Sequence, residues 1–359
     1  MSDSDSSIIS ARPRVKFDGQ EPAVVAHNLI AMRIDEQMGG LTSLELRLLN
    51  IRSDEGGGAD LAFEDDDIIK LGAEVVIGMG DEQNSVAMFR GLVTAIEELY
   101  GSEGPPEILV LAEDKLRKAQ LARRTKVWED ATISDIANQV ANDLGLTPRV
   151  TGLSANIGTQ VQLNESDLAF LRRLLATHDG EMQVIEGELH VAGVADVSRG
   201  ELDFDGLRDL RRARFSADLA EQVSQITISG WDAAQGERIG VTSNVSSYGP
   251  GSGSTGAQKL QQAFGRRSEH VSFGTPLNSD EAQALADAAH RQRAGRFVKL
   301  DGTAEGNPRL RVGTRVRVSG GVSRRFVNTY RVVRTCHRFD LRSGYETDFE
   351  AECAYLGGS

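Results

Sequence analysis

Alternation of apolar and polar residues with a period of two dominates the first third of the chain. Val15 and Phe17 alternate with charged residues, and Leu44 and Leu46 follow the same pattern. Because successive side chains of a strand point to opposite faces, this pattern predicts strands with one buried face. Similar segments occur at residues 75–79, 88–96 and 108–111. The sequence therefore predicts a β domain over residues 12–115, preceded by a flexible N-terminus at residues 1–11.

The spacing changes to that of helices in residues 116–200. Apolar residues recur every three or four positions after Thr132, which stands where a helix N-cap belongs. A second run of leucines between residues 168 and 175 predicts another helix. Two short apolar segments then flank Glu186 and Gly187, a composition typical of a β-hairpin. Residues 116–200 are predicted to form an α+β insert.

The β pattern returns in residues 201–356, which are predicted to form a second β domain. Within it, residues 243–258 are rich in Gly and Ser and predict a flexible loop, whereas residues 280–294 predict a helix. Glycines in such a loop can hold a phosphate, but that motif needs a Lys after its last Gly. Ala257 follows Gly256 here, so no nucleotide site is expected.

The second β domain repeats the spacing of the first. At an offset of 241, Gly72–Gly80 lies over Gly313–Gly321, and each segment places alternating apolar residues between glycines. If no gap is introduced, Phe89 then aligns with Tyr330. This self-similarity predicts an internal duplication. Two unrelated β-meanders with similar turns are the alternative.

Two related β domains predict a barrel in each half of the chain, because a sheet that curls on itself has no open edges. Val75 and Ile77 of the first copy and Val316 and Val318 of the second are expected to face the barrel interiors or the packed faces of the barrels. A trimer of such a chain would present six similar barrels. A ring of true threefold symmetry would then match a sixfold partner.

Charge and composition exclude several classes of partner. The formal net charge is −13, which opposes general binding of DNA or RNA, because phosphate binding needs a basic surface. No apolar segment approaches the ~20 residues that span a bilayer, and residues 1–10 lack the apolar part of a signal peptide. We expect no nucleic acid partner, no stable membrane insertion and a cytoplasmic location until assembly.

Residues capable of catalysis or metal binding are scattered. The histidines form no HExxH motif, and no GxSxG motif is present; they are His27, His178, His190, His270, His290 and His337. His337 lies in a predicted strand and is expected to be packed or hydrogen-bonded. Residues 53–67 are acidic but lack the spacing of a calcium loop, so a solvated loop is expected. Cys336 and Cys353 are expected to be two small buried side chains, with a cross-strand disulfide as the alternative.

These observations predict a protein that is not an enzyme. The sequence predicts no catalytic residues, no cofactor-binding residues and no metal ligands, and therefore no cofactor.

Four segments together resemble one protein family. They are residues 132–146 (TISDIANQVANDLGL), 164–174 (NESDLAFLRRL), 328–338 (NTYRVVRTCHR) and 344–349 (GYETDF). In this order they are similar to phage late control gene D proteins, which are relatives of VgrG spike proteins and of the hub proteins of contractile tails. The similarity extends from about residue 12 to residue 355 and so covers most of the chain.

The resemblance implies two tube-protein-like β-barrels in one chain and a homotrimeric baseplate hub. Such a hub joins the hexameric inner tube, or the tube initiator protein, to the trimeric central spike and contacts other baseplate proteins. VgrG proteins continue into a spike, whereas this sequence stops at Ser359, so the spike is expected to be a separate protein. The particle would be a phage virion, a bacteriocin or a contractile injection system, and the resemblance does not choose among them.

A different class of function is also open. The helices and hairpin of the insert resemble small glycan-binding modules, so the alternative prediction is a peptidoglycan-binding or lytic tail-associated module. The lack of a catalytic carboxylate pair argues against the lytic version. Binding to purified cell wall would distinguish a glycan-binding module from a hub.

Overall fold

One curled sheet of 12 strands joins the two halves of the chain. The structure, a computed structural model, describes residues 12–357 except 54–55, 81–84, 103, 233–234 and 272–277. The predicted flexible N-terminus at residues 1–11 lies outside the described residues. The predicted fold class, mainly β with an α+β insert, is confirmed.

The first half of the large sheet is antiparallel and encloses its own core. Its elements are β1 (Arg14–Phe17), α1 (Ala23–Asn28), β2 (Leu29–Gln37), β3 (Ser43–Leu49), β4 (Arg52–Ser53), β5 (Ala59–Asp60), β6 (Glu74–Met79), β7 (Val86–Leu99) and β8 (Glu107–Asp114). The sheet runs in the order β1-β6-β7-β8-β3-β2. The alternating apolar residues identified in the sequence face one buried cluster, as the period of two predicted.

The insert begins where β8 ends and has its own apolar core. Its elements are α2 (Leu116–Leu121), β9 (Arg123–Trp128), α3 (Ile133–Asp143), β10 (Thr147–Thr151), β11 (Gln160–Ser166), α4 (Asp167–Thr177), β12 (Gly180–Ile185), β13 (Glu188–Gly193) and a 3-10 helix (Val194–Asp196). Thr132 caps α3 in a capping box with Asp135, as predicted. Glu186 and Gly187 adopt positive φ in the predicted hairpin between β12 and β13.

The second half completes the large sheet and carries an additional layer. Its elements are β14 (Glu201–Asp205), β15 (Leu210–Ala217), β16 (Gln225–Asp232), β17 (Glu237–Thr242), β18 (Ser254–Thr255), α5 (Gly256–Phe264), β19 (Ser268–His270), α6 (Ser279–Gly295), β20 (Val298–Glu305), β21 (Arg315–Gly320), a 3-10 helix (Arg324–Phe326), β22 (Asn328–Asp340), β23 (Gly344–Cys353) and β24 (Tyr355–Leu356). From β2 the sheet continues in the order β22-β23-β20-β15, and β21 and β14 pair beside β22.

Residues 218–297 fold differently from the prediction of one barrel with a loop and a helix. Strands β17, β16 and β19 form a separate sheet, and α6 packs on it through Leu285 and Ala286. The predicted loop at residues 243–258 is shorter, since Thr255 caps α5 from Gly256 onward. This layer connects β15 to β20, whereas the corresponding connection between β2 and β3 is a short turn.

The two halves share a hydrogen-bond pattern. The amide of Gly72 donates to the carbonyl of Val93, and the amide of Gly313 donates to the carbonyl of Val332, at distances of 2.8 and 2.9 Å. Both glycines have positive φ, near +80°, a conformation that costs glycine little. A bulge follows Val93 opposite β8, and another follows Val332 opposite β23. Strands β6, β7 and β8 thus correspond to β21, β22 and β23.

The bulge pattern extends the correspondence to two more strands. β2 pairs with β3 with a bulge at Ile30, and β15 pairs with β20 with a bulge at Arg211. The first strands differ, because β1 is antiparallel to β6 whereas β14 is parallel to β21. Five consecutive strands of each half therefore match in order and direction, and they share two bulge positions.

The gapless alignment predicted from the sequence is wrong beyond the first strand. Gly72 corresponds to Gly313 at the predicted offset of 241, but the hydrogen bonds match Val93 with Val332, at an offset of 239. The second copy is therefore two residues shorter between these points, and Phe89 does not correspond to Tyr330. The first copy also has a bulge at Met88 of β7, opposite Ile77 and Gly78, whereas the β21–β22 pairing ends at the corresponding Val318.

The expected burial of the two opening strands is observed. Val75, Ile77, Val316 and Val318 are all fully buried, the first two in the core of the first half and the others in the core of the second. A period of two in each strand places alternate side chains on the same face.

Candidate assembly interface

The junction between the two halves is a strand pairing. β2 lies antiparallel to the second part of β22, from Gln37 opposite Arg334 to Ala31 opposite Asp340. β21 occupies the same edge of β22 before the bulge, from Val318 opposite Asn328 onward. The long strand β22 is therefore shared by its own half and by the neighbouring half.

β7 has the same shape as β22, but part of one of its edges pairs with no described strand and is therefore vacant. β6 pairs with its first part, and the last hydrogen bonds of that edge join Val93 to residues 72 and 73. From Thr94 to Leu99, β7 pairs with β8 alone among the described strands. Glu97 and Glu98 are exposed on this segment.

β15 ends the large sheet on the other side. It pairs with β20 and with no other described strand, so its outer edge presents unpaired backbone groups. Arg211, Arg212 and Arg214 are exposed on this strand. β1 and β14 also end the sheet, each with one paired neighbour. The vacant edges of β7 and β15 are opposite in charge, acidic on β7 and basic on β15.

The two ends of the sheet along the strand direction are connected to different structures. The insert leaves the sheet after Asp114, and the layer of residues 218–297 leaves it after Ala217, both at the end where β2 turns into β3. Arg172 of the insert donates to the carbonyl of Gly39 in that turn, at 2.8 Å. Arg291 of α6 joins Asp179 of the insert at 2.8 Å. This end therefore carries structures that occur once per chain.

The opposite end carries a matching pair of connections. The connection from β7 to β8 and the connection from β22 to β23 occupy corresponding places in the two halves. Both present a large apolar side chain to solvent, Tyr100 in the first and Leu341 in the second, at 64% and 58% exposure. This end of the chain therefore presents two hairpins at corresponding positions.

A buried ion pair joins the halves behind the β2–β22 pairing. The carboxylate of Glu36 accepts hydrogen bonds from Arg311 Nε, at 2.7 Å, and from Thr335 Oγ1, at 3.1 Å. Burial raises the pKa of the Glu36 carboxyl, but the attraction and hydrogen bonds of Arg311 outweigh it, and the pKa lies below its usual value. The carboxylate therefore stays ionised, and the pair ties β2 to the loop before β21.

His337 lies beside this ion pair and is fully buried. Its Nδ1 is 2.9 Å from the hydroxyl of Tyr345 and 3.2 Å from Oγ1 of Thr347. Burial lowers the pKa of His337 to about 4, so the ring is neutral at pH 7. The residue occupies the packed, hydrogen-bonded position expected from its strand.

The remaining histidines and the acidic loop do not converge. His190 contacts Glu188, His270 contacts Ser229, and His290 contacts Ser243, each in a different place. Within the described residues, no group of three or more His, Cys, Asp or Glu side chains could hold a metal ion. In the described part of the chain, no helix is long and apolar enough to cross a membrane.

The cysteines are unpaired. Cys353 is buried, as expected, whereas Cys336 is partly exposed and lies opposite Asp348 in the sheet. Neither the predicted burial of Cys336 nor the alternative disulfide is therefore observed.

The vacant edges were not identified from the sequence. The segment LRRARFSA of β15 contains the basic alternation of an exposed strand, and it is the one signal that could have indicated this edge. Vacancy itself depends on which strands pair elsewhere, and a single sequence does not show that.

Solved structures of tail proteins have a similar fold. The 43 kDa tail protein of prophage MuSo2 from Shewanella oneidensis has a TM-score of 0.69 at 15% identity, covering 95% of this chain and 98% of that one. The tail protein from Neisseria meningitidis MC58 has a TM-score of 0.66 at 12% identity, with 96% of each chain covered. The E. coli c3393 protein has a TM-score of 0.56 at 13% identity, covering 96% of this chain and 79% of that one.

The c3393 protein is described as a component of the type VI secretion system with structural similarity to the T4 bacteriophage tail proteins gp27 and gp5. These likenesses confirm the predicted relation at the level of the fold. No curated protein sequence matches the chain. The family model described as the Alg8 N-terminal domain matches residues 10–340. Because this match covers most of the chain, the protein belongs to the Alg8 N-terminal domain family, with a fold shared by phage tail proteins.

Proposed function

We propose that this protein is a structural baseplate hub of a contractile phage tail or phage-like injection system, and not an enzyme. Three chains form a ring that joins a hexameric inner tube to a separate trimeric spike. The observation that carries the proposal is the pair of vacant sheet edges, which correspond to the two edges that pair inside the chain. The number of three chains comes from the family resemblance.

The pairing of β2 with β22 inside the chain is the model for the pairing between neighbouring chains in the ring. Inside the chain, the second part of β22 pairs with β2. β7 corresponds to β22, and β15 corresponds to β2, because their bulges coincide. The vacant part of β7 is therefore the place for β15 of a neighbouring chain. Repeating this pairing around a ring leaves neither β7 nor β15 with a vacant edge.

The correspondence also fixes the register of the proposed contact. Asp35 lies opposite Cys336 inside the chain. The equivalent positions are Ser216 on β15 and Glu97 on β7, so these two residues lie opposite each other across the subunit boundary. In this register Arg214 is the diagonal neighbour of Glu97 on the same face of the sheet, a favourable cross-strand pair.

The two ends of the sheet fit partners of different symmetry. The end with two corresponding hairpins per chain gives six hairpins in a trimer, with Tyr100 and Leu341 as exposed apolar contacts. This end fits a sixfold tube. The end with the insert and the layer of residues 218–297 has three copies of each, and it fits a threefold spike. Other baseplate proteins would contact the outer surface.

Disulfide trapping tests the ring and its register together. The test variant carries Ser216→Cys and Glu97→Cys in a background with Cys336→Ser and Cys353→Ala. If β15 pairs with the next chain's β7 as proposed, mild oxidation links chains, and denaturing gels show two-chain and three-chain species. Native mass spectrometry of the unmodified protein, or of the assembled particle, should show three chains.

The chain offers a matched control for this experiment. Asp35→Cys beside the native Cys336 creates the corresponding pair inside one chain, again with Cys353→Ala. Oxidation should close this bond within a monomer. If the control closes and the test variant remains a single chain, or if the assembled position holds a stable monomer or dimer, the proposed ring is wrong.

A further inference from the structure

A cavity of about 590 Å³ opens at the end of the sheet that carries the insert. Its walls come from α4 and β12 of the insert, from α6, from the turn between β2 and β3, and from the ends of β20, β22 and β23. A cavity of this size is within the range of peptide and small-ligand sites. It exists because the insert and α6 meet over the sheet, so it occurs once per chain.

The charges that line the cavity are not balanced within the chain. Three of its carboxylates have arginine partners: Asp179 joins Arg291, Glu181 joins Arg199, and Glu350 joins Arg334. Of the four other lining cations, Arg296 lies 3.9 Å from Glu221. Arg172, Lys299 and Arg331 have no carboxylate within 4.0 Å among the described residues. Glu352 has no cation within 4.0 Å, but it lies between Lys299 and Arg331 on the neighbouring strands, and both attract it. The lining side chains without an oppositely charged group within 4.0 Å therefore carry more positive than negative charge.

Arg331 is the most constrained of these cations. One of its terminal nitrogens donates to the carbonyl of Val194, at 3.3 Å, while its Nε is buried and has no hydrogen-bond partner. Burial lowers the pKa of the Arg331 guanidinium, and Glu352, Asp179 and Glu181 oppose the shift from a distance. A guanidinium in this position has donors available for a carboxylate supplied from outside, and such charge-assisted bonds are the stronger kind.

We propose that this cavity binds an acidic peptide segment of a partner protein, through Arg331, Lys299 and Arg172. The excess positive charge selects carboxylates, and Glu352 beside Arg331 can accept a backbone N–H of the same segment. The net charge of −13 repels acidic peptides from most of the surface. The exposed arginines of β15 form another basic site, and substitutions in the cavity distinguish the two. That the partner lies on the side of the spike rests on the proposed function. The proposed binding of an acidic peptide does not depend on it.

A capped hexaglutamate peptide is the probe, titrated into the full-length protein by calorimetry at low ionic strength. Capped hexaglutamine, which has the same length and no charge, is the control ligand. We expect saturable binding of hexaglutamate only. Raising the ionic strength from about 0.03 M to about 0.3 M shortens the screening length several-fold and should weaken the binding.

Two substitutions localise the site. Arg331→Gln should weaken hexaglutamate binding about tenfold or more, because it removes a buried charge-assisted donor. Lys299→Gln changes an exposed side chain and should weaken binding without affecting folding, which covers the possibility that the first variant unfolds. Arg324→Gln, which removes an exposed charge elsewhere in the same half, should bind like the unchanged protein.

Equal binding of hexaglutamine, or equal loss in the Arg324→Gln control, would show that attraction is not confined to the cavity. No binding of hexaglutamate by the folded protein would refute the site itself. Native mass spectrometry on the same samples separates the two proposals. A trimer that does not bind the peptide contradicts only the site, and a monomer that binds it contradicts only the ring.

Discussion

Removal of the charge of Glu36 is the sharpest perturbation of the junction between the two halves. The Glu36 side chain is fully buried, and its partner Arg311 is 17% exposed. The carboxylate accepts hydrogen bonds from Arg311 and from Thr335. Glu36→Gln keeps the size of the side chain and leaves the Arg311 guanidinium buried without a counter-charge.

The expected magnitude follows from this burial. Breaking a buried ion pair by removing one partner costs about 3–5 kcal/mol, because the remaining charge is uncompensated. We therefore expect Glu36→Gln to lower the free energy of unfolding by about 3 kcal/mol. Replacing both partners by Met should restore most of the loss, since no unpaired charge remains. The matched control is Asp203→Asn, which breaks the exposed Asp203–Arg317 pair and should cost less than about 1 kcal/mol.

Urea unfolding followed by circular dichroism measures these changes, with the oligomeric state checked at each protein concentration. The reasoning predicts a large loss for Glu36→Gln, recovery in the double Met variant and little change in the control. If Glu36→Gln and Asp203→Asn cost the same, the ion pair does not stabilise the junction. If the double Met variant is as unstable as Glu36→Gln, the loss comes from packing and not from an unpaired charge.

Three further predictions concern the core, the pH dependence and the absence of catalysis. Val316→Asp places an unpaired charge in a fully buried position, so it should lower the free energy of unfolding by about 3 kcal/mol and prevent ring assembly. Denaturant unfolding and native mass spectrometry measure the two effects. The pKa of His337 is lowered to about 4, so the fold favours the neutral ring. The free energy of unfolding should therefore decrease as the pH falls from 6.5 to 4, by at most about 3 kcal/mol, and His337→Gln should lack this pH dependence. Burial raises the pKa of Asp114 to about 6, so this carboxyl has the opposite effect and increases the free energy of unfolding as the pH falls through 6. Unfolding of Asp114→Asn over the same pH range distinguishes the contribution of Asp114 from that of His337. Incubation with purified peptidoglycan should give no hydrolysis and no retention on the cell wall, and turnover abolished by a single Asp, Glu or His substitution would overturn this prediction.

Local pattern determined the elements of this protein well. A period of two predicted the strands that contain Val15, Leu46 and Val75, because a strand with one buried face must alternate. Thr132 marked the start of α3, since its hydroxyl can accept a free backbone N–H of the first helical turn. Repeated glycine spacing also indicated that the two halves share a strand pattern, because Gly72 and Gly313 occupy the same left-handed position.

The tertiary structure decided everything that depends on pairing across long distances. The two-residue difference between the halves appears only in the hydrogen bonds of Val93 and Val332, because residue spacing does not reveal where a hairpin takes up a bulge. The layer over residues 218–297 was missed, since its strands have the same alternation as barrel strands. The vacant edges of β7 and β15 and the cavity around Arg331 arise only when separate segments meet, so local patterns alone do not locate them.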